Sequence, residues 1–243
     1  MAPAGYGDRV EGLHAVAAAA EAGRVERLYV DRARRNRHDV AAIVDVVGAG
    51  KVVLVDDVRT QAATDTPQGL VADCAPIVPV SIDSLAGTSA ALLVLDHLED
   101  PHNVGAIARS ARAAGVTGMV VSSRRAAPLS PVAFKAAAGA LETLSIAVVG
   151  SIPEGLSRLK TLGVWIVGLD ANSEQVIFGL PLLTEPVAVV IGAEGSGMAR
   201  LSAKRCDLIV SIPMVGDTES LNASVSGALA AFEIMRVRSQ TPG

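Results

Sequence analysis

Beyond residue 90 the chain alternates five short apolar runs, at 91–95, 118–122, 164–169, 187–191 and 208–212, with helical or loop stretches. Runs of this length bounded by turn residues read as buried strands, and their alternation with helices predicts a mostly parallel sheet covered on its faces. A smaller α/β layer precedes it, read as a helix over 12–22, a strand over 25–30, a helix over 38–48 and a strand over 51–55. Turn chemistry at Pro76, Pro79, Ser81, Gly87 and Ser89 places a connector between the two layers. The expected domains are therefore 8–80 and 88–243. Charge does not mark this boundary, because nine Lys/Arg face eleven Asp/Glu up to Val80 and twelve face fourteen beyond it.

A hydrophobic fraction of 50% with 19% charged residues describes a globular chain with ample core material. No apolar run approaches the roughly 20 residues of a membrane helix, and Asp8, Arg9 and Glu11 do not read as a secretory signal. A cytoplasmic protein without membrane contact is expected. Cys74 and Cys206 are too few and too isolated for a disulfide framework or metal cluster, so they read as small core residues, and no metal is expected. The net charge of −4 excludes an indiscriminate polyanion binder, so any nucleic-acid contact must be local. One such patch is visible. Arg24, Arg27, Arg32, Arg34, Arg35 and Arg37 fall within fourteen residues whose only acids are Glu26 and Asp31, a local charge of +4. It reads either as a solvated charged turn or as a phosphate-contacting surface.

Parallel α/β sheets bind ligands beyond the carboxyl ends of their strands, and three strand ends carry polar constellations. After the run at 91–95 come Asp100-Pro101-His102-Asn103-Val104-Gly105 and a helix expected over 106–114, with Asn103 as its N-cap and Arg109 and Arg112 on one face. After 187–191 comes Gly192-Ala193-Glu194-Gly195-Ser196-Gly197, a carboxylate among glycines. Its spacing is neither the dinucleotide fingerprint nor a phosphate loop, so it reads as a structural turn or as a place where backbone approaches a ligand. After 208–212 come Pro213, Met214, Ser220, Leu221 and Asn222, then a helix over 221–236 capped by Ser220. That helix is rich in Ala, Gly and Ser, which suits tight packing within the chain or against a second copy.

Taken in order, the three constellations resemble the motifs of the SpoU class of trefoil-knot (SPOUT) RNA ribose 2′-O-methyltransferases, and the resemblance covers most of the chain. Residues 10–80, with Gly12-Leu13-His14 and Gln68-Gly69-Leu70, are similar to the N-terminal RNA-binding domain of that family; Pro67 stands where one subgroup often has His. The resemblance implies a C-terminal knotted SPOUT domain with a mostly parallel sheet, preceded by a small α/β RNA-binding domain. It implies S-adenosylmethionine held by Gly192, Ala193, Gly195, Ile212, Met214 and Leu221. It also implies a catalytic set of Asn103, Arg109, Glu194, Ser220 and Asn222, and a homodimer. The implied reaction is methylation of a ribose 2′-oxygen, most closely of a guanosine in 23S rRNA, free or in an assembling large subunit.

Arg109 is the residue the family resemblance offers as activator of the hydroxyl. A guanidinium pKa above about 12 makes its deprotonation at pH 7 cost roughly 7 kcal/mol, so a cation that orients phosphate and steadies a developing alkoxide is the better role. Alternatives within the class are another rRNA nucleotide, as in antibiotic resistance, or a transfer RNA. An alternative outside it is a noncatalytic ribosome-assembly factor. A nicotinamide-dependent dehydrogenase would need a G-x-G-x-x-G turn after the first strand of the large sheet, and that turn is absent.

Overall fold

The structure, a computed structural model, describes residues 5–124, 126–216 and 220–240. Its first layer contains β1 (Arg9–Glu11), α1 (Leu13–Glu21), β2 (Val25–Asp31), α2 (His38–Val47), β3 (Val52–Val55) and β4 (Leu70–Cys74). These strands form a sheet of order β1-β4-β2-β3, with β2 and β3 parallel and the other pairs antiparallel. The second layer contains β5 (Ala91–Asp96), α3 (Pro101–Ala113), β6 (Gly118–Ser122), α4 (Pro131–Ala137), β7 (Ser145–Val149), α5 (Ile152–Thr161), β8 (Trp165–Leu169), β9 (Val187–Gly192), α6 (Arg200–Ala203), β10 (Leu208–Val210) and α7 (Ala223–Gln240). Its six strands are all parallel, in the order β10-β8-β9-β5-β6-β7.

Strands β5 and β9 pair at the centre and are buried along nearly their whole length, because helices cover both faces. Successive side chains point to opposite faces, so Leu93 and Leu95 join Ile107, Ala111 and Ile234 on one side while Leu92 and Val94 join Leu156 and Leu159 on the other. The first of these cores continues without a break into Val10, Val16, Leu28 and Leu70 of the small layer. Phe134 is fully buried and sits 6.2 Å from the Tyr6 ring at this junction. Burial, then the neighbouring Glu142 charge, pushes the Tyr6 hydroxyl up to about 12. Cys74 is buried in the first core, whereas Cys206 is only half-buried against the second one; burial pushes their thiols up to about 12 and about 11.

Several elements differ from the sequence expectation. Helix α3 begins at Pro101, not 106, because the Asp100 side chain accepts the His102 amide at 2.8 Å and Pro fits the first helical position. Asn103 therefore lies inside the first turn and does not cap. The last strand stops at Val210, and Ser211 pairs instead with the irregular segment at Val176. β1, β4 and the edge strand β7 are additional to the expected set. No helix among the described residues is long and apolar enough to cross a membrane.

Helix α7 returns from the sheet edge at β10 to pack on α3, and the family resemblance places the knot in this return. The approach is close: a Cβ on Gly227 would meet Ile107 at 2.9 Å and Ile191 at 3.2 Å. The small residues Ala223, Gly227, Ala230 and Ala231 are thus consumed inside the chain. A different face of α7 leaves Val225, Phe232 and Met235 about two-fifths exposed.

The layers are also joined by charge. Arg24 donates from Nε and Nη2 to the Glu142 carboxylate at 2.7 and 2.6 Å, and from Nη1 to Gly7 O at 3.0 Å and to Ala75 O. Burial, which alone would lower the Arg24 pKa, is outweighed by the hydrogen bond and charge of Glu142. Since the Glu142 side chain is only 2% exposed, Arg24→Ala should lower the unfolding free energy by about 3 kcal/mol in a denaturant titration. Arg24→Met combined with Glu142→Leu should lower it much less. Equal losses would show that the pair does not hold the layers.

Candidate active site

Three carboxyl ends of the parallel sheet meet at one oxygen. Glu194 Oε1 accepts from Asn103 Nδ2 at 2.9 Å, from Asn222 Nδ2, and from the Ala223 amide at 3.4 Å. Asn222 Nδ2 also lies 3.2 Å from Asn103 Oδ1. One carboxylate thus ties the start of α3, the loop after β9 and the start of α7, which are 91 and 28 residues from it in sequence. Asn222, not Ser220, caps α7: its Oδ1 accepts the Ser224 amide at 2.8 Å and the Ser224 hydroxyl. Asn103 is 7% exposed, while Glu194 and Asn222 are open to solvent.

The loop carrying Glu194 folds tightly back on itself. Ala193 and Gly197 exchange backbone hydrogen bonds of 3.0 and 2.9 Å, and Gly195 and Gly197 take φ of +75° and +65°, a region glycine enters without strain. Gly192 is required for a different reason. A Cβ there would stand 2.2 Å from Gly197 C and Met198 N.

Beside this loop opens a cavity of about 260 Å³. Gly192, Ala193, Gly195, Ile212, Met214, Ser220 and Leu221, all singled out in the sequence, line it together with Glu194. Residues 217–219 of the last segment lie outside the described residues. The sequence reading missed the end of β8, where Leu169, Asp170, Ala171 and Asn172 complete the wall. The signal was present, since Asp170, Ala171 and Asn172 follow the strand predicted over 164–169, but a lone Asp170 with no glycine-rich run after it drew no attention. Among the described residues no group of three His, Cys, Asp or Glu side chains is placed to hold a metal ion.

Arg109 is not brought to this cavity. Six residues of helix put it about 120° around α3 from Asn103 and about 9 Å along the axis. It lies exposed on another cavity, of about 650 Å³, with His14, Gln68, His102 and Lys135. The arginine cluster of the small layer is also divided. Arg24 is committed to Glu142, as described above. Arg27, Arg32, Arg34, Arg35 and Arg37 are exposed, with Arg32 3.3 Å from Asp56, Arg37 3.0 Å from Asp39, and Arg34 donating to Gln68 O at 3.1 Å.

A parallel α/β sheet with a polar, glycine-floored cavity at its strand ends is the architecture of a small-ligand-binding enzyme. The SpoU rRNA methylase family profile matches residues 90–232, and the profile for RNA 2′-O ribose methyltransferase substrate binding matches residues 9–79. The chain belongs to the SpoU rRNA methylase family. It is 36% identical over 241 residues to the 23S rRNA (guanosine-2′-O-)-methyltransferase RlmB of Coxiella burnetii, covering 94% of this chain and 95% of that protein. It is 38% identical over 227 residues to RlmB of Nitrosomonas europaea, covering 90% and 86%. Among solved structures it is similar to the SpoU methyltransferase AviRb from Streptomyces viridochromogenes, with a TM-score of 0.80 at 25% identity over 95% of this chain and 89% of that one. AviRb has also been solved in complex with the cofactor AdoMet.

The Glu194 junction makes a stability prediction that separates capping from site assembly. Asn222→Ala should cost about 1–2 kcal/mol in a denaturant titration. Asn222→Asp, though an equally good cap, should cost at least as much, because it replaces a donor to Glu194 by a second carboxylate. A parent-like Asn222→Asp would show that the junction carries no weight.

Proposed function

We propose that the chain transfers a methyl group from S-adenosylmethionine to the 2′-oxygen of a ribose in RNA, and that the substrate is a guanosine of 23S rRNA. The observation that carries this reading is the Glu194 carboxylate, fixed by Asn103 and Asn222 at the lip of a cavity floored by bare backbone. The cavity suits the cofactor. Gly192 leaves no side chain between ligand and backbone, Leu169, Ile212 and Leu221 supply apolar walls, and the acidic lip favours a cationic ligand. When bound, S-adenosylmethionine supplies an electrophilic methyl group on a positively charged sulfur.

The remaining work falls to the chain's own side chains. Asn103 and Asn222 hold Glu194 in one orientation, so its charge is preorganised. Glu194 Oε2, which has no partner among the described residues, is free to face a ligand. Ser220, exposed at the cavity edge, can hydrogen-bond a ribose hydroxyl. Arg109 acts as a cation on the substrate phosphate, presenting its planar fork to two oxygens at once. Because Arg109 projects away from Glu194 of its own chain, this role supports a homodimer in which each copy supplies Arg109 to the other's site. The exposed Val225, Phe232 and Met235 of α7 offer an apolar face for such a pairing. Arg27, Arg32, Arg34, Arg35 and Arg37 form the phosphate-contacting patch of residues 8–80, and Arg24 serves the fold. The kinship with rRNA methyltransferases supports a cytoplasmic location.

Mass-spectrometric mapping of 2′-O-methyl groups in ribosomal RNA from cells with and without this chain tests the reading. The expected result is loss of one 2′-O-methylguanosine from 23S rRNA, restored by the parent gene and not by a Glu194→Ala variant. An unchanged 23S map with a methyl group lost from a transfer RNA would overturn the substrate assignment.

A further inference from the structure

On the other side of Glu194 lies a second cavity, of about 550 Å³, which the chemistry above does not use. Its wall includes His97, Asn103, Glu194 and Ser196. His97 is one of only three non-glycine residues with positive φ among the described residues, at +60°. Such a conformation persists in a side chain of this size when its surroundings dictate it. Here both neighbours are buried anchors. Asp96 is fully buried at the end of β5, and Leu98 is 3% exposed with its carbonyl accepting the Ala127 amide at 2.6 Å. Between them the backbone turns outward and carries the imidazole to the cavity.

The ring is then fixed by a carboxylate used at both ends. Asp96 Oδ1 lies 2.6 Å from His97 Nδ1, and Oδ2 accepts the Ala199 amide at 2.8 Å. The second bond ties the pair to the loop that carries Glu194. With Nδ1–H donated to Asp96, the neutral imidazole presents Nε2 as an acceptor. Nε2 has no protein partner among the described residues. The ring is thus an oriented, half-exposed acceptor on the cavity wall, held there by the buried Asp96 carboxylate.

We propose that this second cavity receives the nucleotide to be methylated, and that His97 Nε2 accepts a hydrogen bond from its ribose 2′-hydroxyl or from a base N–H. The volume lies within the roughly 300–1,000 Å³ of small-ligand sites. Glu194 stands on the wall of both cavities, so an occupant of the second faces an occupant of the first across that carboxylate. The assignment rests on the reading of the chain as an RNA ribose methyltransferase.

His97→Asn tests it in the full-length chain, because Asn tolerates the left-handed backbone and keeps a donor for Asp96 while withdrawing the ring nitrogen. Binding would be measured to a 23S rRNA fragment containing the mapped guanosine, and to the same fragment with 2′-deoxyguanosine at that position. The variant should bind the ribose fragment about tenfold more weakly, as expected for one lost hydrogen bond, with its thermal midpoint and S-adenosylmethionine affinity unchanged. A loss that disappears on the deoxy fragment assigns the donor to the 2′-hydroxyl, and one that persists assigns it to the base. Parent-like RNA binding by the variant, or a parallel loss of cofactor affinity, overturns the role of His97 while methylation by the parent chain stands. A parent chain that methylates no RNA overturns the functional reading and this assignment together.

Discussion

The sharing of one carboxylate oxygen among three distant segments is the constraint on which the rest of the site depends. Glu194 Oε1 takes donors from Asn103, Asn222 and Ala223, so the first turn of α3, the β9 loop and the cap of α7 are set relative to each other by one atom. Each bond contributes only about 1 kcal/mol in net terms, but a buried asparagine left unpaired loses more than that, so the three stand or fall together. The junction is possible because backbone can pass so near backbone at Gly192. Any larger residue there would lift the loop from the strand and carry Glu194 away from its partners.

Helix α3 is the element that relates the two layers to this junction. Its Asn103 reaches the carboxylate, while Gly105 lies so close to α4 that a Cβ would fall 2.3 Å from Ala133 O. Ile107, Ala108 and Ala111 fill the core beneath α7, and Arg109 faces the groove shared with the small layer. One helix therefore serves the Glu194 junction, the core and the groove shared with the small layer through residues on different faces. The continuous core and the Arg24–Glu142 pair make the small layer a fixed partner in this arrangement. The far end of α7 is held by Arg238, whose guanidinium donates to the carbonyls of Leu183, Ser89, Ala90 and Glu185.

Much of this was legible in the sequence because central parallel strands must be apolar on both faces, which makes runs such as 187–191 conspicuous. Strand-end reasoning then pointed to the glycine loop and to the segment before α7, whose residues do line one cavity. Caps were harder. Asn103 and Ser220 both have side chains suited to capping, but Asp100 followed by Pro competes better at one helix and Asn222 at the other, and only tertiary contacts decide between such neighbours. β1 and β4 escaped notice because β1 is three residues long and carries the charges Arg9 and Glu11, the latter buried against the Ala63 and Thr64 amides. Arg24 looked like its arginine neighbours in sequence; its partner Glu142 is 118 residues away and no local pattern announces it. His97 could not have been singled out, since which histidine takes a positive φ is decided by its buried neighbours Asp96 and Leu98 and no local pattern announces it.

On the proposed function, the Glu194 junction and the Gly192 floor shape a single pouch for the methyl donor at the strand ends. A crystal structure of the chain grown with S-adenosylmethionine tests it most directly. The donor is expected between Leu169, Gly192, Ile212 and Leu221, with its sulfonium on the Glu194 side. A donor bound instead in the groove beside Arg109 and Lys135, with the strand-end cavity filled by solvent, would contradict it.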